Sequence, residues 1–295
     1  MAVRHITGSR ESGPYAWAIM VAIFMLLCCS CITSEKAELM TKSGSKTRLR
    51  VITFNVLNGF KNDDRRHEQA VVWITSQKPD VVALQELNRY TEEKLKNDAR
   101  LWGHPYVQLC KVKSGYHLGL TSRKPIKNVH FITKEGLWHG IFHGQTHGID
   151  FFVLHLAPNT EDIRLMETKI VLNEIQKIQP SNRPTILLGD FNSLSRLDND
   201  FYQRELKHEP KYSVMDHYLN RGWVDLVHQH HGTTIEKQSS IPSLLIETKS
   251  GSWRIDYILA STQLAKKCIA AQVMKGPSTD YLSDHYPVMA DFDWP

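Results

Sequence analysis

TILLGDFNS, residues 185–193, is a strand that ends on an acid and an amide. Thr185, Ile186, Leu187 and Leu188 form the unbroken run that a strand buried on both faces requires. Gly189 follows, and Asp190 and Asn192 then stand where a core strand should turn or continue. One polar residue at a strand end is ordinary, but here the figure recurs. Asn55 follows VITF, Glu86 follows VVALQ, His155 follows FFVL and Asp256 follows WRI. Asp284 and His285 come just before PVMADF. Left unpaired in a core, such groups would cost roughly several kcal/mol each. Gathered around a cation and an anion, they need not.

Working outward, the segments between these strand ends alternate between the two periods. LRVITFNVL and PDVVALQEL read as strands, and Arg65 to Gln77 reads as the helix between them. Thr91 to Arg100 is a charged surface helix. YVQLCKV, HLGLTS and IKNVHFIT are short strands. LWHGIFH and IDFFVLHL flank GQTHG, a hairpin signal. Glu161 to Gln179 is a helix expected to turn Ile163, Met166, Ile170, Ile175 and Ile178 inward, and Pro180 stops it. Residues 194–225 are helical or loop, and RIDYILAS, CIAAQVMK and PVMADFD close the chain as strands.

The N-terminus differs in kind. Arg4 and Arg10 precede an apolar run from Ala16 to Leu27, which is signal-peptide length and short for a membrane span. Residues 1–31 are read as an export leader, a lipoprotein-type leader or a membrane anchor, 32–46 as a polar tether, and 47–295 as one domain. The expected location is extracytoplasmic: secreted, periplasmic or membrane-anchored. Three of the five cysteines, Cys28, Cys29 and Cys31, fall in the leader. Cys110 and Cys268 remain in the body, as a disulfide or as two buried thiols. No CxxC pair exists there, which argues against a structural zinc site.

Composition sets bounds and no more. The 295 residues are 41% hydrophobic and 23% charged, which excludes a disordered or low-complexity chain. The net charge is +5, and it falls to +4 when residues 1–30, with Arg4, Arg10 and Glu11, are set aside. That permits a polyanionic partner without requiring one.

The strand-end residues carry the chemistry. Glu86 offers oxygen to a hard cation, as Mg²⁺ prefers. Asp190 and Asp256 can hold a water or a metal. Asp284 precedes His285, but neighbours on an extended chain point apart, so the acid that orients His285 is Asp256 or Asp190. Asn55 and Asn192 can hydrogen-bond phosphate oxygens or the nucleophile without adding charge, and His155 can donate to the same oxygens. Arg89 stands just past Glu86, where it can touch a nucleic-acid backbone or solvent. This is the equipment of metal-assisted phosphoester hydrolysis.

ITFNVLNG, PDVVALQE, GYHLGLTSRKPI, FFVLHLAPN, ILLGDFNS, WRIDYILAS and LSDHYPVMADF occur in this order from residue 49 to the C-terminus. With them the body resembles the endonuclease/exonuclease/phosphatase superfamily and its deoxyribonuclease-I-like fold. The resemblance implies an α/β (α+β) four-layer sandwich, two packed mixed β-sheets flanked by helices, with the site along one edge. It implies Glu86 as principal metal ligand, with Asn55 beside it and Asp284 near the metal. Asp190 would position or activate the water, and Asn192 would contact phosphate. His285 would be the general base or a phosphate-binding imidazole, with Asp256 supporting His285 or the metal. His155 would stabilise or protonate the leaving oxygen, and Asn159 would contact a phosphate. The cofactor implied is Mg²⁺, with Mn²⁺ or Ca²⁺ as alternatives. Leu57 replaces the acid that abasic-site endonucleases carry two residues after the first Asn, and His155 replaces their Tyr. SWRIDYI is not the Trp-x-Asp-Arg run of inositol-polyphosphate phosphatases.

The expectation is an exported Mg²⁺-dependent phosphodiesterase. Its partner is a phosphodiester substrate, nucleic acid ahead of phospholipid or sphingomyelin, with a possible membrane tether and no protein partner inferred. A phospholipid substrate would call for an exposed aromatic hairpin; no obvious Trp/Phe-rich insertion is visible, and Leu137-Trp138 and Ile241 to Leu245 are the candidates. A non-catalytic binding protein on the same fold is the third reading, disfavoured by the completeness of the set. His139, His143 and His147 recur every four residues, but the glycines between them indicate a hairpin, not a helical metal face. Arg164 and Glu167 are expected to pair with each other on their helix.

Overall fold

β1 (Arg48–Asn55) and β2 (Val81–Gln85) run parallel at the middle of one sheet, joined by helix α1 (Asp64–Gln77). β7 (Ile149–His155) and β8 (Thr185–Asp190) repeat the arrangement in a second sheet, joined by α3 (Glu161–Ile178). Helix α2 (Glu92–Leu101) lies between the two in sequence. The structure is a computed structural model and describes residues 47–178, 183–205, 209–232 and 253–295. The expectations for the leader, the tether and Ile241–Leu245 lie outside the described residues.

β3 (Tyr106–Cys110), β4 (Leu118–Ser122), β11 (Cys268–Val273) and β12 (Val288–Asp293) complete the first sheet, in the order β11-β12-β1-β2-β4-β3. β5 (Lys127–Ile132), β6 (Ile141–Thr146), β9 (Trp223–Asp225) and β10 (Asp256–Ser261) complete the second, in the order β5-β6-β7-β8-β10-β9. Helices α4 (Asn199–Glu205), α5 (Ser213–Leu219) and α6 (Leu226–His231) fall between β8 and β10.

Alternation along each central strand builds four layers. Val51, Val81 and Ala83 face Phe151, Val153, Ile186 and Leu188 in the core between the sheets. The residues between them point outward. Ile52, Phe54, Val82 and Leu84 pack on Trp73 and Ile74 of α1 and Leu95 of α2. Phe152, Leu154 and Leu187 pack on Val171 and Ile175 of α3 and on Met215 and Tyr218 of α5. Each central strand is thus apolar on both faces, which is why its sequence runs unbroken until the polar end. The fold is a four-layer α/β sandwich.

Local chemistry sets the elements. Asp63 caps α1 by accepting from the Arg66 amide at 3.1 Å, and Thr91 caps α2 by accepting from Lys94 at 3.1 Å. The β6–β7 hairpin turns on His147 and Gly148, both with positive φ (52° and 74°), as a two-residue hairpin requires.

Three expectations change. Trp223–Asp225, read as helix or loop, is strand β9 and pairs with β10. α3 buries Glu167, Thr168, Val171 and Ile175, while Met166 is 55% exposed. The Glu167 carboxylate accepts the backbone N–H groups of Trp138 and Ala157, each at 2.7 Å, and this turns the helix so that Met166 faces solvent. Glu167 is therefore not the partner of Arg164, whose guanidinium goes to Ser193 Oγ and the carbonyls of Ala157 and Asn159. Cys110 and Cys268 are both buried and free.

Candidate active site

The parallel pairs of the two sheets end side by side, and their last residues meet. Asn55 closes β1 and is fully buried. Its Nδ2 donates to Glu86 Oε1 and to Asp190 Oδ2, both at 3.1 Å, so one amide links the two sheets. In the second sheet His155 pairs with Asp190, and Asp190 pairs with Asp256, in ladder register. Three adjacent strands therefore deliver a histidine and two acids in a row. Gly189 makes this possible. Its φ is 137°, and a Cβ there would lie 1.9 Å from the Leu154 carbonyl oxygen.

Glu86 lies one residue past β2 with φ 59°. Its carboxylate accepts from Asn55 Nδ2 and, at 2.8 Å, from the Asn58 amide. That amide belongs to an unusual turn. Leu57, Asn58, Gly59, Phe60, Lys61 and Asn62 all have positive φ, a run of left-handed backbone that L-residues resist. The Gly59 amide also donates to the Glu86 carbonyl at 2.7 Å. At Gly59 a Cβ would lie 2.4 Å from the Asn88 carbonyl oxygen, so only glycine fits. Asn58, Lys61, Asn62, Asn88 and Arg89 line a cleft of about 410 Å³ beside this turn.

Asp190 accepts from the Asn192 amide at 2.8 Å through Oδ1. Its Oδ2 lies 3.6 Å from His155 Nε2 and 3.8 Å from His285 Nε2. Burial, and then the charge of Asp256, push the Asp190 carboxyl up to about 7. Burial also raises Glu86. The two imidazoles go opposite ways. Burial, with His139 and His285 as like neighbours, holds His155 well below the usual histidine value. Burial pulls His285 down too, but the charges of Asp256 and Asp190 and the bond from Nδ1 to Asp256 Oδ2 at 2.8 Å hold it well above. Asp256 is thus the acid that orients His285, the point on which the sequence left two candidates. Asp284 is more exposed, and its Oδ1 lies 4.0 Å from His285 Nε2. Ser283 Oγ ties this loop to β1 by donating to the Asn55 carbonyl at 2.7 Å.

The residues fit a hard cation. Four carboxylates, Glu86, Asp190, Asp256 and Asp284, share one raised imidazole, and among the described residues Glu86 has only amides as donors. Ligand atoms of Asp190, Asp256 and His285 lie within 4.8 Å of one another. Asp256 and His285 are engaged with each other, however, so Glu86 and Asp190 are the oxygens better free to turn toward an ion.

Asn192 reaches the site with φ 47°, and its Nδ2 donates to the Leu156 carbonyl at 2.9 Å. Asn159 and Arg89 stay at the rim. Both are exposed, and the Asn159 carbonyl is held by Arg164 at 2.7 Å. Sequence reading missed two supports. Arg254, only 1% exposed, anchors the start of β10 through Asp198 and Asp225, each at 2.6 Å. His139 stacks on His155, with ring centroids 4.0 Å apart. A signal for it existed: counting back from the His147-Gly148 turn places Gly140 opposite His155 and His139 next to it.

The sequence profile of the Endonuclease/Exonuclease/phosphatase family matches residues 52–285. No curated protein matches the sequence. Among solved structures, an AP endonuclease from Archaeoglobus fulgidus superposes with TM-score 0.67 at 21% identity, covering 83% of this chain and 99% of that one. A 3′–5′ exonuclease from Neisseria meningitidis gives TM-score 0.62 at 23% identity, with 83% and 100% covered. An endonuclease/exonuclease/phosphatase from Beutenbergia cavernae gives 0.64 at 18% identity, with 84% and 72% covered.

Proposed function

This chain belongs to the endonuclease/exonuclease/phosphatase family, and we propose that it is an exported, Mg²⁺-dependent hydrolase that cleaves phosphodiesters of nucleic acid. The observation that carries the reading is the convergence of Asn55, Glu86, His155, Asp190, Asp256 and His285 on one sandwich edge. Glu86 would hold the cation, with Asp190 and Asp284 near it, and Asn55 would keep Glu86 and Asp190 together through Nδ2. A bound cation would neutralise charge on the phosphoryl oxygens.

The chain's own groups then divide the work. Asp190 takes the proton of the attacking water at Oδ2, and Asn192 orients it. His285, held charged by Asp256, donates from Nε2 to a phosphoryl oxygen, a role its raised basicity favours over that of general base. His155 hydrogen-bonds the leaving oxygen through Nε2–H as that oxygen's bond to phosphorus breaks, and the departing alkoxide takes its proton from solvent. Arg89 and Asn159 at the rim meet neighbouring phosphates. A nucleic-acid substrate agrees with similar structures described as an AP endonuclease and a 3′–5′ exonuclease, and with a 3′ phosphatase from Neisseria bound to a product DNA hairpin. Export rests on Arg4, Arg10 and the apolar run from Ala16 to Leu27. Among the described residues, no helix is long and apolar enough to cross a membrane.

The test is a panel of DNA, RNA and sphingomyelin given to the protein with Mg²⁺ or with EDTA. Metal-dependent cleavage of DNA or RNA that is lost in Asp190→Ala supports the reading. Full activity in EDTA overturns the metal requirement, and activity on sphingomyelin alone overturns the substrate. Cell fractionation tests export, which a cytoplasmic pool alone would exclude.

A further inference from the structure

Histidines that must point at a reacting group are usually fixed by a hydrogen bond from the far ring nitrogen to a carbonyl or carboxylate. His285 follows this rule through Asp256. His155 does not. Its Nε2 faces Asp190 and Glu86, at 3.6 and 4.0 Å, but its Nδ1 is buried with no hydrogen-bond partner among the described residues. Something other than a hydrogen bond must set the ring.

The only ring lying flat against it, among the described residues, is His139. The two planes are 12° from parallel with centroids 4.0 Å apart. Tyr116 stands edge-on to both, 5.1 Å from His139 and 6.3 Å from His155. His139 is itself fixed. It is 2% exposed, and its Nδ1 lies 3.0 Å from Ser114 Oγ. The neighbouring Trp138 amide is pinned to buried Glu167, whose other oxygen takes the amide of Ala157, two residues past His155. One carboxylate therefore holds the two histidine-bearing segments in register.

We propose that His139 is a positioning residue: its ring, stacked on His155, keeps the Nε2 edge of His155 aimed at the reacting phosphate. This rests on the phosphodiesterase reading given above. Stacking suits the task because the contact prefers an uncharged partner, and burial lowers the His139 imidazole to about 4. An Nδ1 without an acceptor likewise disfavours a proton there, because a buried orphan N–H is rarer than an orphan acceptor. His139 needs no nitrogen for this role, only a flat ring.

His139→Phe and His139→Gln separate the alternatives. Phe keeps a ring, whereas Gln keeps a polar group within reach of Ser114 and loses the ring. With an oligonucleotide substrate, His139→Phe is expected to hold kcat within about threefold of wild type, while His139→Gln loses on the order of 10²-fold in kcat with KM little changed. Equal kcat in the two variants, whether both high or both low, overturns the proposal. Nitrogen-15 spectra of the imidazoles give a second readout that needs no turnover. His155 is expected as the Nε2–H tautomer in wild type and His139→Phe, and as a mixture in His139→Gln. An unchanged tautomer in His139→Gln overturns the proposal as well. A wild type inactive on every phosphodiester would defeat the functional reading instead, and the spectra would still decide the role of His139.

Discussion

Replacing Asp256 with Asn keeps the shape of β10 and removes one charge from the site. The side chains on either side of the bond are closed to solvent, 2% exposed for Asp256 and 11% for His285, and Nδ1 to Oδ2 is 2.8 Å. A charge-assisted bond of this kind contributes about 1.5–3 kcal/mol. At about 1.36 kcal/mol per decade, its loss from the transition state lowers kcat roughly 10- to 150-fold. A second effect has a definite sign. Burial alone pulls the His285 imidazole down, and Asp256 is the leading charge that raises it. Without that charge His285 loses its proton at lower pH, so the basic limb of the rate profile moves toward acid. The assay is steady-state hydrolysis of an aryl phosphodiester over about pH 5 to 9, with kcat read separately from KM. A variant whose kcat stays within about threefold of wild type, with its basic limb unmoved, would show that the pair does not position the catalytic imidazole.

Glu86→Gln should abolish most of the rise in melting temperature that Mg²⁺ gives the wild type; an equal rise in both would remove Glu86 from the ligand set. Asp190 gives a pH test. Its folded value, about 7, lies above the unfolded value near 4, so its contribution to stability is present at low pH and lost as pH rises through about 7. Melting in EDTA should fall across that window, and Asp190→Asn should flatten the decline. Arg254→Met leaves Asp198 and Asp225 buried without their cation and should cost about 3–5 kcal/mol by urea titration. Adding Asp198→Asn to Arg254→Met should recover part of that loss, and a double variant no better than the single would contradict the assignment.

The layers were legible because the central strands are apolar on both faces, so VITF, VVALQ, FFVL and TILLG announce themselves as runs. The site was legible at their ends, where Asn55, Glu86, His155 and Asp190 break the runs. What escaped is what depends on neighbours far apart in the chain. Met166 fits an inward helical face by spacing alone, yet two backbone amides from other segments draw Glu167 inward instead. Arg254 reads as an ordinary strand-flanking cation until Asp198 and Asp225 arrive from separate elements to enclose it. His139 looked like one of three histidines in a glycine-rich hairpin. Only the cross-strand count places it against His155 and separates it from His143, which bonds Asp150 at 2.9 Å.

The left-handed turn from Leu57 to Asn62 sets a limit on engineering. Left-handed backbone costs an L-residue roughly 1–2 kcal/mol, and five of these six positions are not glycine. Glycine at Lys61 or Asn62, both exposed, would therefore be an attractive choice for raising heat tolerance, whereas Phe60 is buried in the core and would leave a cavity. The same turn holds the Asn58 and Gly59 amides against Glu86, and slack introduced there would reach the carboxylate. Gains in endurance at this loop should come with slower turnover, so a hardier variant is better sought elsewhere, on the helices that clothe the outer faces of the sandwich.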